Sequence, residues 1–537
     1  AELHGRFGKK QGEERGTMVI TEILDRANRL YHKRKAFICG DSTFTYGEWY
    51  HRVNRLSSSL QEMGIEKGDR VAFMMLNCHR EVETYFATFN IGGVAVPVNV
   101  RLSPQEIIYI INDSESKVLV VDDALLPLVE GIRPKLETVK HFIHAGDYGL
   151  PQDMLRYEEV LAGAAPRPRA VAIADNDLAG IFYTGGTTGT PKGAMLSHHN
   201  LMSDTLHFLA YVHMSSKDVW LHVAPLFHIA ACATMFVAME YGVPQVMMKL
   251  FIPDMVMQTI ERYKVTVTLL IPAMLNWMIN HPDFGKYDLS SLRAIGYGAS
   301  PMPLEVLRKA MTSLSCQFGQ AYGMTEASPM LTFLGVEDHV LDGPPEVVAR
   351  LASAGQPSVG VEVRVVNERG EDVKPGEVGE VIARGPNIML GYWKRPEDTA
   401  EAIRDGWYYS GDMATVDDEF YLYIVDRRKD MIISGGENIY STEVENVLYQ
   451  HPAILEAAVI GVPDPKWGEA VKAVCVLRQG HSATSEEVIA FCKERLSSYK
   501  APKSVDFVES LPKSAAGKIL KREVREPYWK GYDRRVH

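Results

Sequence analysis

Short apolar runs of strand length alternate with longer stretches of helical periodicity through the first half of the sequence. The strand-like runs include residues 71–76, 118–121 and 265–271, and the helical stretches include residues 20–31 and 46–63. Each of these elements has an apolar face that must be buried against another layer, so the alternation favours sheets covered by helices. The sequence therefore predicts an α/β fold.

The second half of the chain contains two units of different character. Segments rich in proline and glycine at residues 342–345 and 374–379 accompany strand-like runs at residues 361–366 and 380–383, which is typical of a β-rich subdomain. After Met431 the pattern becomes a compact α/β unit of roughly 105 residues, which is enough for a small independent domain. Its predicted helices and strands are, in order, residues 441–449, 454–460, 470–477 and 485–496.

The length of 537 residues predicts several structural units, since it exceeds the size of one ordinary domain. Residues 18–428 would form a large N-terminal domain of two helix-covered β-sheets and the β-rich subdomain. Residues 429–537 would form a small, mobile C-terminal α/β domain, joined through the charged stretch at residues 426–430. Residues 1–17 are polar and are interpreted as a natural extension or an added leader.

Charge, cysteine content and hydropathy exclude several classes of protein. The formal net charge of −11 argues against a surface that binds nucleic acid by counterion release. The six cysteines include no C-x-x-C pair, which argues against a disulfide framework and a zinc site, so a reducing cytoplasm is the expected setting. The longest apolar run, residues 229–239, has about eleven residues and is too short to span a bilayer. Residues 1–17 contain no apolar signal-peptide core.

The most informative motif is a glycine- and threonine-rich segment at residues 183–193, which reads Y-T-G-G-T-T-G-T-P-K-G and follows a strand-like run at residues 178–183. Its glycines allow close approach of the backbone to a ligand, and its hydroxyls, lysine and backbone N–H groups are suited to phosphate oxygens. Pro191 before the lysine and Gly193 after it exclude the common G-x-x-x-x-G-K-[ST] nucleotide loop. The alternative interpretation is a flexible linker.

This segment resembles the phosphate-binding signature of adenylate-forming enzymes, a superfamily of acyl-CoA synthetases, aryl-CoA ligases, luciferases and peptide-synthetase adenylation domains. The resemblance covers roughly residues 20–525, includes six motifs in the family's order, and is nearest to bacterial fatty-acid–CoA ligases. Gly185 departs from the frequent serine but keeps the glycine-rich backbone. The resemblance implies that ATP phosphates contact Thr184, Gly185, Gly186, Thr187, Thr188, Gly189 and Lys192.

Two later motifs would complete the nucleotide side of the site. The turn at residues 297–303 and the motif Y-G-M-T-E at residues 322–326 are similar to family segments that lie against adenine and the α-phosphate. The resemblance implies that Thr325 bonds the α-phosphate and that Glu326, together with Thr184, helps to hold Mg²⁺, an ion that prefers oxygen ligands. The residues expected against the adenine are Gly298, Ala299, Tyr322 and Gly323. Taken alone, each of these short motifs could equally be an ordinary turn.

The remaining motifs lie at and beyond the domain boundary. The resemblance implies that Asp412 accepts hydrogen bonds from the ribose hydroxyls, that Arg427 contacts ribose or phosphate, and that Lys429 is the hinge. Lys518, in a loop similar to the family's P-x-x-x-x-G-K segment, would bridge the substrate carboxylate and the α-phosphate as a catalytic residue. The residues expected to contact coenzyme A are Gly435, Gly436 and Trp467, the last of which could instead be a half-buried packing residue.

Three stretches, residues 225–230, 271–274 and 328–331, would form an apolar acyl pocket. His228 stands where amino-acid-activating relatives have an aspartate, so it argues against an amino-acid substrate and would lie near the carboxylate as a catalytic residue. A structural histidine is the alternative. A medium- or long-chain fatty acid is favoured, and aromatic or short branched acids remain open.

The sequence thus predicts an acyl-CoA ligase that uses ATP, Mg²⁺ and coenzyme A and acts on a small carboxylic acid. One alternative delivers the acyl-adenylate to a carrier-protein thiol, and another is a luciferase-like oxygenase. A catalytically inactive scaffold is disfavoured by the presence of Glu326, Asp412, Arg427 and Lys518 together. A nicotinamide dehydrogenase is disfavoured because no G-x-G-x-x-G follows a strand. No nucleic-acid partner is expected, whereas peripheral membrane contact and a homodimer remain open.

Overall fold

A computed structural model describes residues 18–149, 151–184, 190–514 and 517–530. In the first part of the chain the elements are α1 (Glu22–Tyr31), β1 (Lys35–Cys39), β2 (Ser42–Thr45), α2 (Tyr46–Glu62), β3 (Arg70–Met74), α3 (His79–Asn90), β4 (Val94–Pro97), α4 (Pro104–Asp113), β5 (Val118–Val121), α5 (Leu126–Ile132), β6 (His141–His144), β7 (Leu155–Arg156), α6 (Tyr157–Gly163), β8 (Leu178–Thr184) and β9 (Lys192–Ser197).

The middle of the chain continues the alternation of helices and strands. Its elements are α7 (His198–Tyr211), β10 (Trp220–His222), α8 (Ile229–Tyr241), β11 (Gln245–Met247), α9 (Pro253–Tyr263), β12 (Val267–Leu270), α10 (Pro272–Ile279), β13 (Ala294–Gly298), α11 (Leu304–Ser313), β14 (Gln317–Gly323), β15 (Met330–Leu334), α12 (Pro345–Ala349) and β16 (Gln356–Pro357).

The last part is richer in strands. Its elements are β17 (Glu362–Val366), β18 (Gly379–Arg384), β19 (Gly391–Tyr392), α13 (Pro396–Ala402), β20 (Ile403–Arg404), β21 (Trp407–Val416), β22 (Leu422–Arg427), β23 (Ile432–Ser434), β24 (Glu437–Ile439), α14 (Ser441–Leu448), β25 (Ile454–Asp464), β26 (Gly468–Leu477), α15 (Ser485–Lys493), β27 (Ser504–Phe507) and α16 (Lys521–Arg525).

Four sheets organise these elements. An eight-stranded sheet has the order β19-β9-β8-β4-β3-β5-β6-β7, and a nine-stranded sheet has the order β16-β15-β14-β13-β12-β10-β11-β1-β2. A third sheet, β17-β18-β21-β20 with β22 on β21, is the β-rich subdomain, and a fourth, β24-β23-β26-β25 with β27 on β26, belongs to the C-terminal unit. The expected α/β class, with two large sheets, a β-rich part and a smaller C-terminal unit, is confirmed.

Helices α2, α3 and α8 form the core between the two large sheets. Trp49, Phe86 and Phe236, one from each helix, are fully buried, with ring centroids 5.1 Å apart for Trp49–Phe86 and 5.7 Å for Phe86–Phe236. Helix α8 is the long apolar run of the sequence, and nearly all of its residues are buried. Its apolar character therefore belongs to a helix enclosed by protein on all sides. Among the described residues, no helix is both long and apolar enough to cross a membrane.

Local signals account for several element boundaries. Helix α2 begins after Thr45, whose hydroxyl accepts a hydrogen bond from the Glu48 N–H while the Glu48 carboxylate accepts from the Thr45 N–H, which is a capping box. Strand β5 has the predicted bounds, whereas β25 extends to Asp464 beyond the predicted residue 460 because it pairs along its whole length with β26. All six cysteines are free thiols.

Asn77 joins the two large sheets at the ends of their strands. It follows β3 of the eight-stranded sheet, and its amide donates to the Ala224 carbonyl at 2.9 Å and accepts from the Leu226 N–H at 2.9 Å, in the segment that follows β10 of the nine-stranded sheet. Its side chain is 3% exposed. One buried amide therefore satisfies two backbone groups at the start of the 225–230 stretch.

We expect the Asn77→Ala substitution to destabilise the N-terminal domain by about 2–4 kcal/mol, because it leaves a buried N–H and a buried carbonyl unpaired. The measurement is the midpoint of urea unfolding followed by tryptophan fluorescence. Asn176→Ala, at an exposed loop position, is the matched control and should change stability by less than about 0.5 kcal/mol. Equal midpoints for the two variants would contradict the assigned role of Asn77.

Candidate active site

The Asp412 carboxylate connects two of the sheets at the centre of the candidate site. It accepts a hydrogen bond from the Tyr322 hydroxyl at 2.8 Å, and the Arg427 guanidinium lies 3.3 Å from its other oxygen. Tyr322 is in β14 of the nine-stranded sheet, whereas Asp412 and Arg427 face each other across the β21–β22 ladder. Burial and the charge of Asp412 raise the pKa of Tyr322 well above its usual value, so the phenol stays protonated as a donor.

Lys518 reaches the same site from the C-terminal unit. Its loop is closed by an isolated bridge between Lys513 and Ile519, and a Cβ built at Gly517 would lie 3.8 Å from the Cβ of Ala273, so the loop lies against the start of α10. Loss of hydration on burial lowers the pKa of Lys518 to about 7, and the positive charge of Arg427 acts in the same direction. The structure thus gathers a lysine and an arginine around one aspartate.

A second cluster surrounds Glu326, which is buried in a 3-10 helix, Thr325–Ala327. The Tyr392 hydroxyl donates to Glu326 Oε1 at 2.9 Å, and the ammonium of Lys192 lies 5.4 Å from the centre of the Tyr392 ring. Lys192 also forms an ion pair with Asp398 at the start of α13. Burial raises the pKa of Glu326, and the Tyr392 hydrogen bond opposes that shift.

The two flanks of the phosphate-type motif lie beside this cluster. Thr184, at the end of β8, is opposite Lys192 in the β8–β9 ladder, and β9 pairs in turn with β19, which carries Tyr392. The intervening expected phosphate-binding residues, Gly185, Gly186, Thr187, Thr188 and Gly189, lie outside the described residues. Tyr392 and Asp398 were not predicted, because nothing in their sequence context distinguishes them from other tyrosines and from other acidic residues in a first helical turn.

Closely packed backbone explains three of the expected nucleotide-binding positions. A Cβ at Gly298 would lie 2.3 Å from the Ala321 carbonyl oxygen, and a Cβ at Gly323 would lie 1.8 Å from that of Pro329. Ala299 has a φ of +64°, a left-handed conformation that is strained for a residue other than glycine. The backbone at the ends of β13 and β14 is therefore packed so closely beside Tyr322 that positions 298 and 323 leave no room for a side chain.

His228 is half-buried and precedes α8, with its Nε2 shielded from solvent and without a hydrogen-bond partner among the described residues. Burial, with the positive charge of Arg101 as a second cause, lowers its pKa to about 4, so the imidazole is neutral at pH 7. Arg101 was not predicted. Of the expected acyl-pocket stretches, residues 328–331 lie against α8, where Met330 packs against Ala233 and Val237. Ile271 and Met274 belong to a different hydrophobic cluster, so the structure does not bring all three stretches together at this helix.

The residues expected to contact coenzyme A form a separate group in the C-terminal unit. Gly435 and Gly436 form the turn between β23 and β24, with φ values of 63° and 88°. The Gly435 N–H donates to the Trp467 carbonyl at 2.8 Å, and a Cβ at Gly435 would lie 2.7 Å from the Trp467 ring, which is 47% exposed. Lys429, the expected hinge, is also exposed, in the link between β22 and β23.

The chain is similar to known proteins over most of its length. The family model described as AMP-binding enzyme matches residues 24–393, and the model described as AMP-binding enzyme C-terminal domain matches residues 443–518. A feruloyl-CoA synthase of Amycolatopsis sp is 40% identical over 490 residues, covering 91% of this chain and 95% of that protein. A long-chain-fatty-acid–CoA ligase of Mycobacterium tuberculosis is 36% identical over 491 residues, covering 91% and 94% respectively.

The three-dimensional structure of the chain is also similar to solved structures. The crystal structure of an anthranilate CoA ligase in complex with anthranoyl-AMP matches with a TM-score of 0.88 and 26% identity, over 95% of this chain and 97% of that chain. The similarity therefore includes both the large N-terminal part and the C-terminal unit that carries Lys518.

The low pKa of Lys518 predicts selective reaction with amine reagents near neutral pH. With a pKa of about 7, half of this side chain is the reactive free amine at pH 7, whereas an ordinary lysine is almost entirely protonated. We expect trace labelling with acetic anhydride at pH 7 to modify Lys518 at least about tenfold faster than exposed lysines such as Lys33. Mass spectrometry of the labelled peptides measures this ratio, and equal rates would contradict the assigned environment of Lys518.

Proposed function

Because the chain belongs to the AMP-binding enzyme family, we propose that it joins a carboxylic acid to coenzyme A through an acyl-adenylate, with release of AMP and pyrophosphate. This membership confirms the family that the sequence motifs indicated. The observation that carries the proposal is the position of Lys518 beside Arg427 and Asp412, since these groups come from different domains and together form a site suited to an anion.

In the proposed adenylation step, the substrate carboxylate attacks the α-phosphorus of ATP and expels pyrophosphate. Negative charge builds on the α-phosphoryl oxygens, so fixed cations and hydrogen-bond donors aimed at those oxygens lower the barrier. Lys518 would bridge the carboxylate and the α-phosphate, and Thr325 would donate to the same phosphate. A bound polyanion would also favour the charged form of Lys518, opposing the depression of its pKa.

The other nucleotide contacts would follow from the surrounding geometry. Asp412 would accept hydrogen bonds from the ribose hydroxyls, Arg427 would contact ribose or phosphate, and the adenine would lie between Tyr322 and the backbone at Gly298 and Ala299. Lys192 would contact the β- and γ-phosphates with the glycine-rich segment. Its ion pair with Asp398 would then be exchanged for phosphate contacts as ATP binds.

The donor set near Glu326 fits Mg²⁺. This ion takes oxygen ligands and is commonly held by one or two carboxylates together with substrate phosphates. Glu326 is a buried carboxylate, one oxygen of which is oriented by Tyr392, and the Thr184 hydroxyl lies at the flank of the phosphate-type segment. When bound, Mg²⁺ would neutralise charge on the phosphates, and Glu326 would hold it with help from Thr184.

For the second step, we propose that residues 429–537 rotate about Lys429. Lys518 would leave the site, and Gly435, Gly436 and Trp467 would approach it to admit the thiol of coenzyme A, which attacks the adenylate carbonyl and displaces AMP. The exposure of Lys429 and Trp467 supports this proposal, because a hinge and a surface that docks later must both be free in the first arrangement.

Two classes of acid would suit an apolar pocket formed by residues 225–230, 271–274 and 328–331. A medium- or long-chain fatty acid is the first candidate, and the 36% identity to a long-chain-fatty-acid–CoA ligase supports it. An aryl acid is the second, and the 40% identity to a feruloyl-CoA synthase favours it. The neutral His228 would border the carboxylate end of either substrate, where an aspartate would be needed for an amino acid.

Pyrophosphate release with Mg-ATP across a panel of acids tests the proposed function. The panel runs from acetate to palmitate and includes benzoate, cinnamate and ferulate, each with and without coenzyme A. Turnover that requires coenzyme A supports the ligase, and its peak on alkyl or aryl acids decides the substrate class. Release that stops near one equivalent and ignores coenzyme A would indicate transfer to another thiol, and no release with any acid would overturn the proposal.

We expect Lys518→Ala to lower the rate of adenylate formation by about 10²–10³, which is the usual effect of removing one aimed donor. Thioester formation from a synthetic acyl-adenylate should stay within about threefold of the wild type, because Lys518 would be outside the site in that step. ATP–pyrophosphate exchange measures the first rate, and thioester formation in single turnover measures the second. Near-normal exchange would show that Lys518 does not have the proposed role.

A further inference from the structure

Glu456 on β25 is buried at the junction between the C-terminal unit and the N-terminal domain. Its side chain is contacted from both sides: the Trp277 indole N–H on α10 donates to Oε1 at 2.8 Å, and the Lys513 ammonium lies 2.6 Å from Oε2. The residue as a whole is 4% exposed. The Lys513 ammonium also lies 4.6 Å from the centre of the Trp277 ring, so the three side chains contact one another.

Lys513 belongs to the loop that carries Lys518. The Ser514 N–H donates to the Lys518 carbonyl at 2.7 Å, and the Gly517 N–H donates to the Ser514 carbonyl at 2.8 Å, so hydrogen bonds join Ser514 to Gly517 and Lys518. These bonds and the bridge between Lys513 and Ile519 couple the backbone at Lys513 to the backbone at Lys518. Because Glu456 and Lys513 are both in the C-terminal unit, their ion pair persists whatever that unit does, and Trp277 alone of the three belongs to the other domain.

Two further contacts use the same helix. The Asn276 amide donates to the Leu455 carbonyl at 3.1 Å, and the Arg478 guanidinium donates to the Asn280 side-chain oxygen at 2.7 Å. Together with Trp277 these residues present one edge of α10 to the C-terminal unit. Helix α10 starts directly after Ile271, where the loop of Lys518 packs, so the polar contacts and the Lys518 loop share one docking surface.

We propose that Trp277, Glu456 and Lys513 form a latch that holds the C-terminal unit in the arrangement that inserts Lys518 into the site, and that Trp277 must release Glu456 before the thiol step. The proposal rests on the two-step function proposed above. Trp277 is then a positioning residue that touches no reacting atom. It affects the relative populations of the two domain arrangements that serve the two half-reactions. A weaker latch disfavours adenylate formation without slowing the thiol step.

Trp277→Phe is the sharpest test, because it removes the indole N–H while Lys513 still neutralises Glu456, so no unpaired charge is buried. Trp529→Phe is the matched control: Trp529 is also half-buried, and its indole N–H donates to the Gly461 carbonyl at 2.9 Å within the C-terminal unit alone. Full-length protein is used throughout. The first readout is labelling of Lys518 by acetic anhydride at pH 7, which reports its insertion beside Arg427 and needs no substrate.

We expect Trp277→Phe to lower the Lys518 labelling ratio at least about threefold, and Trp277→Ala to lower it further, because the released lysine regains its hydration and ordinary pKa. Trp529→Phe should leave the ratio unchanged. Labelling that is equal in wild type and both Trp277 variants overturns the latch, whether or not the protein is a ligase.

The second readout is the ratio of thioester formation to adenylate formation, which we expect to rise about tenfold in Trp277→Phe, as fits a lost hydrogen bond to a charged group. Equal losses in both half-reactions would indicate a merely structural role and overturn the proposal. A wild type that forms no adenylate with any acid would instead refute the proposed function, and the labelling result would still decide the latch.

Discussion

The arrangement of the site depends on the compensation of positive charge by Asp412. The positive charge of Arg427 acts on Lys518 and lowers its pKa, so the repulsion between the two cations opposes the approach of the C-terminal loop. The negative charge of Asp412 offsets this repulsion. The same carboxylate accepts a hydrogen bond from the Tyr322 hydroxyl and so connects the nine-stranded sheet to the β-rich one. Loss of hydration on burial is the main cause of the pKa of about 7 for Lys518 and the charge of Arg427 is the second, so an anion that bound between the two cations would raise this pKa.

At Glu326, too, a single residue contacts two of the expected site residues. The Tyr392 hydroxyl donates a hydrogen bond to the Glu326 carboxylate, and the Tyr392 ring lies next to the Lys192 ammonium. Strand β19, which carries it, pairs with β9 immediately after the phosphate-type segment. A ligand that moved this segment would therefore also affect Glu326, because the paired strands β9 and β19 connect the segment to Tyr392. This connection links the two ends of the proposed nucleotide site.

The sequence predicted the helices and strands where periodicity was clear, and it named site residues where residue type and spacing form a motif. Tyr322, Asp412, Arg427 and Lys518 are brought together as expected, although their roles in binding remain proposals. Tyr392, Asp398 and the contact of Trp277 with Glu456 were not predicted. The partners in these contacts are far apart in the chain, by 206 residues for Lys192–Asp398 and 179 for Trp277–Glu456, and a single sequence carries no signal that pairs them.

The polar contacts between α10 and the C-terminal unit suit a domain that rotates between the two half-reactions. A large apolar interface would hold the C-terminal unit firmly, but its release would expose that apolar area to water at each turnover. The hydrogen bond of Asn276 can be exchanged for a bond to water at little net cost, because a neutral hydrogen bond contributes only about 1 kcal/mol to stability. Glu456 is buried against Lys513 of its own domain, so the carboxylate keeps its counter-ion when its hydrogen bond to Trp277 breaks.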